Sequence, residues 1–216
     1  MSFITCKELT KTFKEKKVLD DISFNVEEGT HYGVLGPDNS GKTTLLKIIT
    51  GLYRPTTGVV TLFDTNVTKT PHEALEKTGC LVGEPSFYPN FTVQYNIELF
   101  AHLLDADPEK VIETTGITFT DVKVNTLTYD KKKILGIAVA LLGDPELLIL
   151  DEPLAFTNPA VRDTIKTVLM SQPKITILFT STNPEDIKDM AQKAAILKSG
   201  RISNKGPISK LKEVLK

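Results

Sequence analysis

Apolar and polar residues alternate along residues 3–9 and 18–26, the period-two pattern of strands with one face buried. A short apolar run at 31–35 reads as a third strand, and 58–63 alternates again. Between them, Leu45 to Ile49 opens a helix that Gly51 caps, and residues 71–77 form a short helix with Pro71 in the first turn. The texture changes at 84. Glu84-Pro85-Ser86-Phe87-Tyr88-Pro89-Asn90 is turn chemistry. Residues 92–104 then have helical spacing, with Val93, Ile97, Phe100, Leu103 and Leu104 on one side, and 107–115 form a second helix. This block reads as a helical lobe inserted into an α/β core.

A helix over 131–142 carries Ile134, Ile137, Ala138 and Leu141 on one face. Residues 147–150 are uniformly apolar, bounded by Pro145 and Pro153, as expected of a strand buried on both faces of a parallel sheet. Helix 160–170, strand 175–180, helix 184–190 and strand 194–198 follow. Strands alternating with helices predict a parallel, doubly wound sheet. The late lysines Lys205, Lys210, Lys212 and Lys216 alternate with apolar residues and are read as a solvated helix face.

The chain has 216 residues and a formal charge of -1 with scattered basic residues, which allows one domain and argues against a nucleic-acid surface. Cys6 and Cys80 stand far apart with no metal-ligand spacing; both are read as small core residues in a reducing setting. No run approaches the roughly 18 apolar residues of a membrane span.

The chemistry begins after the third strand. Gly36-Pro37-Asp38-Asn39-Ser40-Gly41-Lys42-Thr43-Thr44 fits the phosphate-loop template, with a strand before it and a helix after it. Backbone N–H groups of such a loop hold phosphate oxygens, and the helix N-terminus adds its positive dipole end. Lys42 would reach the outer phosphates and Thr43 would place its hydroxyl on Mg²⁺. Strand 147–150 ends in Asp151 and Glu152. Ligands gather at the carboxyl ends of parallel strands, so both acids emerge near the loop. There Asp151 would hold Mg²⁺ through water and Glu152 would act as general base toward an attacking water.

With these two motifs in this order around a helical lobe, the chain resembles the nucleotide-binding subunit of ATP-binding-cassette (ABC) transporters over nearly its whole length. It is most similar to bacterial exporters of drugs and antimicrobial peptides. Their Tyr-Pro-Asn-Leu-Thr is matched by Tyr88 to Thr92, and their Pro-Glu-Leu-Leu-Ile-Leu-Asp-Glu-Pro by Pro145 to Pro153. The resemblance implies one phosphate-loop cassette over 1–216: an N-terminal antiparallel β part, a mostly parallel sheet core and a helical lobe over about 84–143. It implies ATP and Mg²⁺ as ligands, Phe13 as the aromatic that stacks on adenine, and a place at the inner face of the cell membrane. It also implies a membrane-spanning partner docked on the lobe around 87–96, and a second cassette.

The chain departs from the family pattern at several places. Asn39 and Gly83 replace a family glycine and a Gln or Glu; Glu84 stands one residue out of register. Leu127-Thr128-Tyr129-Asp130-Lys131 replaces Leu-Ser-Gly-Gly-Gln, the segment that reaches the γ-phosphate of the opposite subunit. Tyr129 and Asp130 bring bulk and negative charge there, and Lys131, Lys132 and Lys133 are read as solvated or partly offsetting that charge. Asn158 replaces the aspartate of Leu-Asp-Pro, and Thr182 the family histidine. Ligand-holding groups are therefore kept and γ-phosphate sensing is altered. The expectation is an exporter ATPase subunit of weak hydrolysis, or a regulatory nucleotide-binding subunit, paired as a heterodimer rather than a homodimer. A ribosome- or DNA-acting cassette is disfavoured by the charge, and a GTPase by the lack of an Asn-Lys-x-Asp motif.

Overall fold

The computed structural model describes residues 1–172 and 174–211. The chain opens with a long hairpin, β1 (Ser2–Phe13) and β2 (Lys16–Glu27). These strands join β4 (Thr57–Leu62) and β5 (Thr65–Asn66) in an antiparallel sheet of order β2-β1-β4-β5. The second sheet contains β3 (His31–Leu35), β6 (Thr78–Leu81), β7 (Leu147–Leu150), β8 (Thr176–Ser181), β9 (Lys193–Lys198) and β10 (Arg201–Pro207). Its order is β10-β9-β3-β8-β7-β6, parallel except for β10. Every residue of β3, β7 and β8 is buried, which is why none of them alternates and β7 is a continuous apolar run.

Helices α1 (Lys42–Ile49), α2 (Pro71–Leu75), α6 (Pro159–Met170), α7 (Pro184–Met190) and α8 (Ile208–Leu211) belong to the α/β part. Helices α3 (Val93–Leu103), α4 (Pro108–Thr115) and α5 (Tyr129–Leu141) come from the segment read as the lobe. Two apolar cores result. One packs α1 against both sheets through Leu45, Leu46, Ile48 and Ile49; the other joins α3, α4 and α5 to the opposite face of the parallel sheet. Gly79 is where α5 lies on β6: a Cβ there would come 1.8 Å from the Ala140 carbonyl oxygen. Any larger residue would force helix and strand apart.

Several boundaries moved. Thr128 caps α5, its Oγ1 accepting from Lys131 N at 3.4 Å, so the helix starts at Tyr129 instead of 131. The first two strands run longer than their alternating cores. Strand β10 is absent from the pattern reading because nearly all of it is exposed and its residues are polar. Its pairing comes from a tight turn with Ser199 and Gly200 at φ 49° and 77°, not from a buried face. Lys205 therefore lies on a strand, donating to Ser23 O at 2.7 Å, while Lys210 lies on α8. Lys212 and Lys216 lie outside the described residues. Cys6 is buried as expected, but Cys80 is exposed because β6 is the edge strand.

Candidate functional site

Parallel pairing brings three strand ends to one edge of the sheet. Leu35 pairs with Ser181, and Leu150 with Phe179. The chain leaves that edge as Gly36 after β3, Asp151 after β7 and Thr182 after β8. The segment 36–41 turns into α1 through Asn39 at φ 60° and Gly41 at φ 108°. Asn39 thus occupies a left-handed position, the conformation that a glycine takes without strain.

An open cleft of about 990 Å³ forms here, lined by Asp38, Asn39, Gly41, Lys42, Thr43 and Thr44 with Glu152 and Thr182 among others. Lys42 is buried. Its Nζ donates to Gly36 O at 2.8 Å and Pro37 O at 3.1 Å, and lies 3.2 Å from Glu152 Oε1. Thr43 Oγ1 donates to Asp151 Oδ2 at 2.7 Å. Thr180 Oγ1 donates to Asp151 Oδ1 at 2.7 Å and accepts from Glu152 N at 2.9 Å. The other Glu152 oxygen, Oε2, accepts from Thr182 N at 3.2 Å. Ser40 Oγ, within the loop, is buried without a hydrogen-bond partner among the described residues. Thr43 and Asp151 present two hard oxygens side by side, a donor set that fits Mg²⁺, which keeps several waters and phosphate oxygens as its remaining ligands. The loop before α1, the Lys42 cation and the Glu152 carboxylate thus line one cleft, and Thr43 ties Asp151 to it.

The ABC transporter family model matches residues 19–155. The chain belongs to the ABC transporter family. It is 33% identical over 90% of its length to an uncharacterized ABC transporter ATP-binding protein, YcbN, of Bacillus subtilis, covering 66% of that protein. It is 32% identical over 98% of its length to the bacitracin transport ATP-binding protein BcrA of Bacillus licheniformis, covering 72% of it. The chain thus spans about two thirds of the length of these curated relatives. Among solved structures, the ATP-binding subunit of an ABC transporter superposes with a TM-score of 0.88 at 20% identity, over 98% of this chain and 92% of that one. A dimeric ATP-binding cassette bound to ADP and Pi gives 0.86 at 21% identity, over 95% and 98%.

The residues singled out in this cassette divide by position. Lys42, Thr43, Asp151 and Glu152 come together; Gly36, Pro37 and Ser40 form the loop behind them. Asp38 is exposed at the rim. Phe13 does not join the cleft lining, to which its hairpin contributes Lys16, Lys17 and Val18. Its ring instead packs edge-on against Tyr53 at 5.5 Å, with Lys11 Nζ 4.8 Å from its centroid. Gly83 has φ 77° with open space where a Cβ would stand, so a side chain there meets backbone strain rather than a clash. Glu84 is exposed outside the cleft lining, near enough to Tyr129 that its charge, after burial itself, pushes the Tyr129 phenol up.

The altered segments engage one another. Asp130 Oδ1 accepts from Asn158 N at 3.2 Å, and Oδ2 accepts from the Asn158 amide. Tyr129 packs edge-on against Phe156, whose ring is 90% exposed at φ 59°. The Asp130 charge is thus spent on a contact within the chain. Lys133 corrects the reading of the three lysines. It is 5% exposed, and its Nζ donates to Glu152 O at 3.0 Å. Burial lowers its pKa, while the Asp151 and Glu152 charges act in the opposite direction. Pattern reading gives Lys133 no contact with Glu152 and Thr180 no role. The available signals were a lysine four residues before Ile137 on the buried face of α5, and a hydroxyl closing a buried strand.

Proposed function

We propose that this chain is the ATP-binding subunit of an ABC transporter, coupling ATP binding and weak hydrolysis to export by a separate membrane subunit. The observation that carries the reading is the clustering of Lys42, Thr43, Asp151 and Glu152 at one edge of the parallel sheet. Lys42 and the backbone N–H groups of the loop before α1 hold the phosphates; Thr43 with Asp151 would hold Mg²⁺, which would supply charge neutralisation at the phosphoryl group. Glu152 accepts a proton from the attacking water. Positioning and charge stabilisation supply most catalysis in phosphoryl transfer. With Thr182 in place of a histidine and no side chain at Gly83, turnover is slow, by about 10²-fold for each lost transition-state donor.

Docking at the inner face of the cell membrane is assigned to residues 87–96. Asn96 is fully buried and fixes this loop, its Oδ1 accepting from Tyr88 N at 2.8 Å and its Nδ2 donating to Tyr88 O and Thr92 O. The loop presents Tyr88, Phe91 and Tyr95, all exposed, with the last two rings stacked at 4.4 Å. Such an exposed aromatic group suits a protein partner. No helix among the described residues is long and apolar enough to cross a membrane, so the spanning part of the transporter is assigned to another subunit.

The engagement of Asp130 with Asn158 favours a second reading, a regulatory subunit that binds ATP and turns it over little. One experiment separates the two: ATP binding and steady-state hydrolysis by the purified chain with Mg²⁺, beside Lys42→Ala and Glu152→Gln. Binding lost in Lys42→Ala and turnover lost in Glu152→Gln is the expected result. Binding without turnover above that of Glu152→Gln selects the regulatory reading, and absence of binding removes both.

A further inference from the structure

Glu152 has φ 47°, a left-handed conformation that costs an L-residue free energy unless its surroundings hold it. Three groups grip its main chain, one of them the Ala155 N–H, which donates to its carbonyl at 3.1 Å. Thr180 Oγ1 accepts from its N–H at 2.9 Å, and Lys133 Nζ donates to its carbonyl at 3.0 Å. Lys133 comes from α5, the helix that Gly79 lets pack directly on β6, and its ammonium is almost fully withdrawn from water. A lysine buried this deeply is costly unless its charge is used. Among the described residues it forms no ion pair within 4.0 Å, and the Tyr129 ring centroid lies 5.5 Å from Nζ. Its one strong contact is therefore the carbonyl of the residue whose carboxylate faces Lys42.

We propose that Lys133 is a positioning residue for Glu152, holding the carbonyl so that the left-handed backbone persists and the carboxylate stays between Lys42 and Thr182 N–H. The peptide plane after Glu152 sets where its side chain points. With the ammonium removed and only the Ala155 N–H left on the carbonyl, the residue relaxes toward an ordinary conformation and the carboxylate leaves the cleft. The geometry is a tether from α5 to the catalytic edge, so movement of that helix is transmitted to the base. This rests on reading Glu152 as the general base.

The test compares Lys133→Met with Lys133→Gln in the full chain, two side chains of matched length that differ in their ability to donate a hydrogen bond. Steady-state Mg-ATP hydrolysis is measured beside Glu152→Gln, together with backbone hydrogen exchange over residues 149–157. A misplaced catalytic group costs on the order of 10- to 100-fold in rate. Lys133→Met is expected to lose at least about tenfold in kcat with KM for ATP nearly unchanged, and Lys133→Gln to recover most of it. Equal kcat in the two variants, or a loss confined to KM, overturns the proposal. Wild-type turnover no higher than that of Glu152→Gln removes the base reading alone. Hydrogen exchange then decides: faster exchange in Lys133→Met but not in Lys133→Gln supports the tether, and equal exchange refutes it. Should Lys133→Met fail to fold, Lys133→Gln is read alone: retained kcat and exchange support the tether, and their loss in a folded protein refutes it.

Discussion

Asn39 and Glu152 both hold left-handed backbone without being glycine, one in the loop after β3 and one just after β7. Asn tolerates this region best among residues with a side chain. Asn39→Gly is accordingly expected to stay within about 1 kcal/mol of wild type, relief of strain being offset by the freer unfolded chain. Asn39→Val should cost roughly 1–2 kcal/mol, because a β-branched side chain crowds its own backbone there. Urea unfolding of the three proteins checks both numbers, and a Val variant as stable as wild type contradicts the assignment. The grouping of Lys42, Thr43, Asp151 and Glu152 was legible in sequence because a strand-to-helix loop and a strand ending in two acids both deliver residues to the carboxyl edge of a parallel sheet. Lys133 and Thr180 were not, since each acts on a backbone group brought close only by the sheet and by α5. Phe13 is the opposite case: a position supplied by resemblance, whose ring here packs on Tyr53 instead.

At the scale of elements, α5 and α6 are fastened through their first turns. Asn158 caps α6, its Oδ1 accepting from Val161 N at 3.0 Å, while its own N–H and amide donate to Asp130 at the start of α5. Asn158→Ala should therefore cost about 1–2 kcal/mol, combining a lost cap with a lost tie. Asp130→Gly should cost less, because a partly exposed contact is worth little alone. In a double-mutant cycle the pair should couple by about 0.5 kcal/mol or more in thermal unfolding, and strict additivity would mean that the contact is idle. Periodicity made the long helices readable, and an unbroken apolar run made the buried strand β7 readable. Strand β10 escaped because an edge strand held by a turn needs no apolar alternation, and β5 because two residues carry no period.

For the whole molecule, the proposed pairing with a second cassette has a measurable counterpart. With Asp130 tied to Asn158, and Tyr129 and Phe156 adding bulk beside it, two copies of this chain are poorly suited to face one another. Sedimentation of Glu152→Gln with Mg-ATP should therefore give a monomer; a tight ATP-dependent homodimer would sink the heterodimer reading. Doubly replacing Tyr129 and Asp130 with glycine should raise ATP-dependent association, and no change would place the obstacle elsewhere. The cleft itself owes its existence to topology, since β3, β7 and β8 finish at one edge and deliver three separate stretches of chain to it. Lys42 sits at the centre of that meeting, satisfied by two loop carbonyls and by Glu152. An incoming polyphosphate competes with all three for the same ammonium. Occupancy would thus exchange one anionic partner of Lys42 for another and release the Glu152 carboxylate from its ion pair, so the ligand that fills the cleft would also free the group proposed as its base.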